Sequence, residues 1–143
     1  MRLLILHGPN LNLLGEREPE IYGSQTLDDI NAEIRKHAEM NDFDVRIYQS
    51  NHEGELVDYL QKNRFWAEGI IINPGALTHY SYVLRDAIAS IAPPCVEVHL
   101  SDISAREDFR KLSVIKDVCV NQIKGKGLQS YLEAMDYLRE LAD

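Results

Sequence analysis

The sequence predicts a doubly wound α/β domain, a five-stranded parallel sheet with helices on both faces. Three observations carry that expectation. Short apolar runs alternate with helical patterns from one end of the 143 residues to the other. The central run, Ile70-Ile71-Ile72, is continuous and β-branched, as strands buried on both faces are. Finally, no repeat, linker or low-complexity stretch interrupts the pattern, so residues 1–143 are expected to form a single domain.

The elements follow in order. Leu3 to Leu6 is a buried strand. From Leu27 to Met40 the apolar residues Leu27, Ile30, Ile34 and Ala38 recur at helical steps. Thr26 can cap that helix, with Asp28 and Asp29 in its first turn and Arg35 and Lys36 near its end, all matched to the helix dipole. Val45 to Tyr48 is a second strand, and Leu56, Val57 and Leu60 mark a second helix. After the strand at 70–72, one helical face is expected from Val83, Leu84, Ala87, Ile88 and Ile91. Pro93-Pro94 stops that helix, Cys95 to Leu100 is a fourth strand, and Val118 to Ile123 is expected as a fifth. The closing helix puts Leu128, Leu132, Met135 and Leu138 on one stripe, with Tyr131 alongside.

Composition narrows the function classes. With 45% apolar and 27% charged residues the chain can build a core, which argues against intrinsic disorder. Fifteen Lys and Arg against 23 Asp and Glu give a net charge of −8, which repels phosphate backbones and disfavours nucleic acid as a partner. A local basic pocket for a small anion is still open. No run approaches the roughly 18 apolar residues of a membrane span, and the opening MRLLILHGPN does not read as a signal peptide. A cytoplasmic location is expected, with no membrane partner. Cys95 and Cys119 sit in apolar runs without CxxC spacing and are expected to be buried small hydrophobes.

In such sheets ligands bind beyond the carboxyl ends of the strands. His7-Gly8-Pro9-Asn10-Leu11-Asn12 follows the first strand, and Asn73-Pro74-Gly75-Ala76-Leu77-Thr78-His79 follows the third. Glu97-Val98-His99-Leu100-Ser101-Asp102 closes the fourth, with Arg106 and Arg110 downstream. Gln49-Ser50-Asn51-His52, after the second strand, is polar but less of a motif. Lys124-Gly125-Lys126-Gly127 lacks both the third glycine of GxGxxG and Walker spacing, and reads as a strand-to-helix turn. His7, His79 and His99 have no carboxylate or thiol at ligand spacing, so no metal site is expected. The connection from His7 to Thr26 is about three times the usual βα length. Its glycines 15 and 23 flank a charged segment with one Arg and one Tyr, which fits a lid at about 13–25 and a solvated surface loop equally well.

Taken together, these segments resemble the type II 3-dehydroquinate dehydratases over nearly the whole chain. The resemblance rests on His7 to Asn12, on Gly15-x-Arg17-x-Pro19-x-x-Tyr22-Gly23, and on Asn73-Pro74-Gly75-Ala76-x-Thr78-His79. It continues through Glu97 to Ser101 and Ala105-Arg106-Glu107-x-Phe109-Arg110, and loosens at Asp102, at Ser104 and from Lys111 to Lys124. It implies a flavodoxin-like form of the predicted sheet and dehydration of 3-dehydroquinate to 3-dehydroshikimate by anti elimination through an enolate. It implies no metal or organic cofactor and a homododecamer built as a tetramer of trimers. By the family motif, Tyr22 is the base as phenolate, Arg17 its stabilising cation, His99 the acid assisted by Asn73, and Glu97 the residue that orients His99. Asn12 holds a water against the enolate oxygen. Asn73, His79, Arg110 and the backbone amides of Leu100 and Ser101 bind substrate, and Asp86 reaches a neighbouring subunit's site. A lysine Schiff base on a barrel fits poorly, since Lys36, Lys62, Lys111, Lys116, Lys124 and Lys126 all lie away from strands one, three and four. The competing class is a flavodoxin-like binding module for FMN or another phosphate ligand. It needs Ser or Thr after the first strand, and Gly8 to Gly23 has neither.

Overall fold

A computed structural model describes the chain from Met1 to Asp143 apart from Arg17 and Gly23, and for Tyr22 it describes the backbone alone. Strands β1 (Arg2–His7), β2 (Asp44–Gln49), β3 (Gly69–Asn73), β4 (Cys95–His99) and β5 (Asn121–Lys124) form one sheet in the order β2-β1-β3-β4-β5. Every pairing is parallel. The helices are a single turn α1 (Pro19–Tyr22), then α2 (Leu27–Met40), α3 (Glu53–Asn63), α4 (Tyr82–Ala89) and α5 (Gln129–Ala142).

Two cores cover the two faces, and strand alternation sorts residues between them. Leu3, Ile5, Ile71, Val96 and Val98 pack with Ile30 and Ile34 of α2 and with Tyr131, Ala134, Met135 and Leu138 of α5. Leu4, Leu6, Ile70, Ile72 and Cys95 pack with Leu56 and Leu60 of α3 and with Leu84, Ala87 and Ile88 of α4. Helix α2 starts as its sequence requires: the Thr26 hydroxyl accepts from Asp29 N–H, and the Asp29 carboxylate accepts from Thr26 N–H.

Three sequence expectations are corrected. The fifth strand starts later than Val118, because Lys116–Val118 is a 3-10 turn. Ile115 is fully buried and Val118 and Cys119 are half-buried, packing on the α3–α4 core from irregular backbone. The apolar run there signals burial without extension. Cys119 is thus only partly buried, while Cys95 is buried, and both are free thiols. On α4, Leu84, Ala87 and Ile88 face the core, but Val83 is 55% exposed and Ile91 lies beyond the helix end. Leu84, Ala87 and Ile88 define the buried stripe, and Val83 lies about 100° around the helix from Leu84, at the edge of that stripe.

At the end of β1, alternation turns His7 toward the α2–α5 face, where it is fully buried. Its Nδ1 lies 2.9 Å from the Tyr131 hydroxyl of α5 and its Nε2 lies 2.8 Å from Oδ1 of Asn31 on α2. Burial pushes this imidazole down to about 4, and the Asn31 hydrogen bond opposes the shift without cancelling it. The folded protein therefore holds His7 neutral where the unfolded chain protonates it. Between about pH 4 and 6.5 the unfolded state binds more protons, so stability rises with pH across that window. The His7 contribution is about 3 kcal/mol over the window. Urea unfolding at the two ends should show that loss on acidification, and His7→Gln should flatten the slope. An unchanged slope in His7→Gln would contradict a neutral, buried His7.

Candidate active site

The carboxyl ends of β1, β3 and β4 meet around a cavity of about 120 Å³. Pro9, Asn10 and Leu11 line it from the first loop, Asn73, Gly75, Ala76 and His79 from the third. His99, Leu100, Ser101, Ile103, Arg106 and Arg110 complete it from the fourth. The chain switches direction between β1 and β3 in the sheet order, so the cleft lies at the topological switch point. Gly8 makes this convergence possible. Its N–H donates to Asn73 O at 2.7 Å, and a Cβ there would sit 2.7 Å from the Pro74 carbonyl. Any larger residue would push the first and third loops apart. A broader groove of about 500 Å³ runs along β5 and α5, but it is open surface, with Lys126 already paired to Glu133 at 2.8 Å.

Beneath the cleft lies a fully buried carboxylate. Glu97 and His99, two residues apart on β4, point to the same face. His99 Nε2 lies 2.5 Å from Glu97 Oε2. The Thr78 hydroxyl donates to the same oxygen at 2.5 Å, and the Ser113 hydroxyl donates to Oε1 at 2.8 Å. Burial alone would raise the Glu97 carboxyl, but the bonds from His99, Thr78 and Ser113 and the attraction of His99 outweigh it and leave it below the usual range. An ionised carboxylate accepts only, so Nε2 carries a proton and Nδ1 is the nitrogen left for a ligand in the cleft.

Around the rim stand cationic and amide groups. His79 Nδ1 donates to Leu112 O at 2.6 Å. Arg110 lies over the Phe109 ring and pairs with Glu107. Arg106 reaches within 4.0 Å of Glu18 in the long first loop. A chain of net charge −8 thus places two arginines at one small cleft, each beside a carboxylate, Glu107 or Glu18. The carbonyls of His99 and Leu100 accept from the amides of Gly125 and Gly127, which fixes the backbone at the end of β4. Asp102 caps the next turn by accepting from Ser104 N–H and hydroxyl, so the two departures from the family pattern bond each other.

The structure gathers most of the expected residues. Asn73, His79, His99, Leu100, Ser101 and Arg110 line the cleft, with Glu97 directly behind His99. Asn12 lies in an adjoining groove with Gly15, Ser24 and Thr26, its Oδ1 3.4 Å from Gln49 Nε2. Asp86 is exposed on α4, away from this chain's own cleft. Arg17 and the Tyr22 side chain lie outside the described residues. Sequence reasoning missed Thr78 and Ser113 as partners of Glu97, and Tyr131, whose hydroxyl accepts from Asn73 Nδ2 at 3.1 Å. It also undervalued the second loop: Gln49 bonds Gly8 O and Asn51 accepts from Asn10 N–H. The polar run at 49–52 was the available signal. Among the described residues no three His, Cys, Asp or Glu side chains gather as metal ligands, and no helix is long and apolar enough to cross a membrane.

The comparisons with known proteins agree with this geometry. The family model described as Dehydroquinase class II matches residues 1–139. A 3-dehydroquinate dehydratase from Halothermothrix orenii is 56% identical over 94% of this chain and 91% of its own. One from Roseiflexus castenholzii is 54% identical over 96% of this chain and 88% of its own. The crystal structure of a type II dehydroquinase from Butyrivibrio crossotus superposes with a TM-score of 0.96 at 45% identity, covering 97% of each chain. With the family model and these relatives spanning nearly its whole length, the chain belongs to the class II dehydroquinase family.

Proposed function

We propose that this cleft dehydrates 3-dehydroquinate to 3-dehydroshikimate, a hydro-lyase reaction run by side chains and backbone amides with no metal or organic cofactor. The observation that carries the proposal is the buried Glu97–His99 pair opening onto a cleft that holds Asn73 and two arginines. The reaction needs a base for the proton beside the ketone, a stabiliser for the enolate, an acid for the departing hydroxyl and an anchor for the carboxylate. His99, held by Glu97 through Nε2–H, donates a proton carried on Nδ1 to the leaving hydroxyl, with Asn73 assisting. Arg110, His79 and the amides of Leu100 and Ser101 bind the carboxylate and hydroxyls. Asn12 holds a water against the enolate oxygen.

The base in this scheme is Tyr22 as phenolate, stabilised by Arg17. An ordinary tyrosine titrates near 10, so action near pH 7 to 8 requires about 3 to 4 kcal/mol of phenolate stabilisation. A cation five residues earlier in the same loop is the natural source. The assembly we propose is a homododecamer of trimers in which Asp86 of one chain completes a neighbour's cleft. The exposed Tyr80, Tyr82 and Val83 beside Asp86 support burial of that face against another copy. A cytoplasmic location fits the same proposal. Aromatic biosynthesis and quinate breakdown share this step.

An ultraviolet assay tests the reaction, since the conjugated product absorbs and the substrate does not. Wild-type protein should convert 3-dehydroquinate, and Tyr22→Phe should lower kcat by at least ~10²–10⁴ while substrate still binds. A folded Tyr22→Phe protein with wild-type turnover would refute the assignment of the base. Arg17→Ala acts differently: the tyrosine stays but its phenolate loses a cation, so the acidic limb of the kcat profile should move to higher pH. Equal loss of kcat at every pH would replace the electrostatic role of Arg17 with a positioning one.

A further inference from the structure

We propose that Tyr131 is a positioning residue for the dehydration, acting through Asn73, from which a one-way hydrogen-bond relay runs through Tyr131 and His7 to Asn31. This rests on the role given above to Asn73 in assisting departure of the hydroxyl. The direction of the relay follows from one obligate donor. Gly75 N–H can only donate, and it meets Asn73 Oδ1 at 3.2 Å. The other end of that carboxamide is therefore Nδ2, which donates to the Tyr131 oxygen at 3.1 Å. Having accepted there, Tyr131 sends its own O–H to His7 Nδ1, 2.9 Å away. With Nδ1 accepting, the neutral imidazole carries its proton on Nε2 and donates it to Asn31 Oδ1 at 2.8 Å.

Every link is thus determined, and the members are shielded from water. Tyr131 and His7 are fully buried, Asn73 is 3% exposed, and Asn31 is half-buried. Burial keeps His7 neutral and raises the Tyr131 phenol, so neither titratable member of the relay changes charge in the range where the enzyme would work. The consequence is at the cleft. Both ends of the Asn73 amide are pinned, which fixes its orientation and leaves the second N–H of Nδ2 as its unused donor. A donor there matches an oxygen that gains negative charge as it leaves. A free carboxamide could equally turn its oxygen to the same spot and repel it. Tyr131 removes that choice from behind Asn73, without lining the cleft itself.

The test is a double-mutant cycle on kcat and KM for 3-dehydroquinate, with wild type, Tyr131→Phe, Asn73→Ala and the double variant. Tyr131→Phe keeps the ring and deletes the hydroxyl. It should lower kcat about 10–100-fold, the size of a misaligned group, and change KM less than about threefold. In the Asn73→Ala background the same substitution should cost less than about twofold, because the residue it acts through is gone. A loss of equal factor in both backgrounds, or wild-type kcat in Tyr131→Phe, would overturn the relay. Asn31→Leu opens the relay from its other end at a half-buried position and is read in the same way should Tyr131→Phe not fold. A kcat loss confined to the background that retains Asn73 supports the relay, and an additive loss or none overturns it. Wild-type protein without any turnover would overturn the reading of the cleft itself, and the relay with it. An active wild type with additive losses would overturn the relay alone.

Discussion

A carboxylate with no access to water is the constraint on which this site depends. Glu97 sits on a central strand, fully buried, and an unpaired charge there would cost several kcal/mol. The structure satisfies it with hydroxyls from Thr78, in the loop after β3, and Ser113, in the segment before β5, and with the ring of His99. Those partners come from three stretches of chain, so the charge holds them to one place. Val114 N–H donating to Thr78 O at 2.7 Å ties the same two loops through their backbones. Removing one of these hydrogen bonds to a buried charge costs about 1.5–3 kcal/mol.

Strand alternation then divides the work of the cleft between the two faces of the sheet. His7 pairs with Asn73 in register across β1 and β3, and both turn toward α2 and α5. Glu97 and His99 turn the other way, toward Thr78, Ser113 and the α3–α4 side. An anionic network that holds an imidazole and a neutral network that holds a carboxamide are thereby kept apart by the sheet itself. They meet only at its carboxyl edge, where His99 and Asn73 line one cavity.

Much of this was legible in the sequence, and the gaps have physical causes. Periodicity located all five strands and the main helices, because burial on two faces leaves continuous apolar runs and burial on one leaves helical stripes. It misjudged 118–120, where Val118 and Cys119 pack on a core from irregular backbone and Val120 is exposed, and Val83, which follows the helical pattern but faces out. Among site residues, those in compact motifs after β1, β3 and β4 were visible because each motif is contiguous. Thr78 and Ser113 are 35 residues apart and meet only through the fold. Tyr131 read as one more apolar member of a helix stripe, since nothing local reveals that its hydroxyl ends between His7 and Asn73. Gly8 was visible only as part of the His7–Asn12 motif, whereas its requirement is the 2.7 Å approach of a loop far along the chain.

The central claim is that an ionised Glu97 holds His99 by Nε2–H and leaves Nδ1 for the substrate. Nitrogen-15 NMR of histidine-labelled protein, with His99 assigned through a His99→Gln variant, tests it most directly. At neutral pH the account predicts a proton on Nε2 that stays protected from exchange and shifts when Ser113 is replaced by Ala. A bare Nε2 with the proton on Nδ1, which would require a protonated Glu97 facing it, would contradict the account.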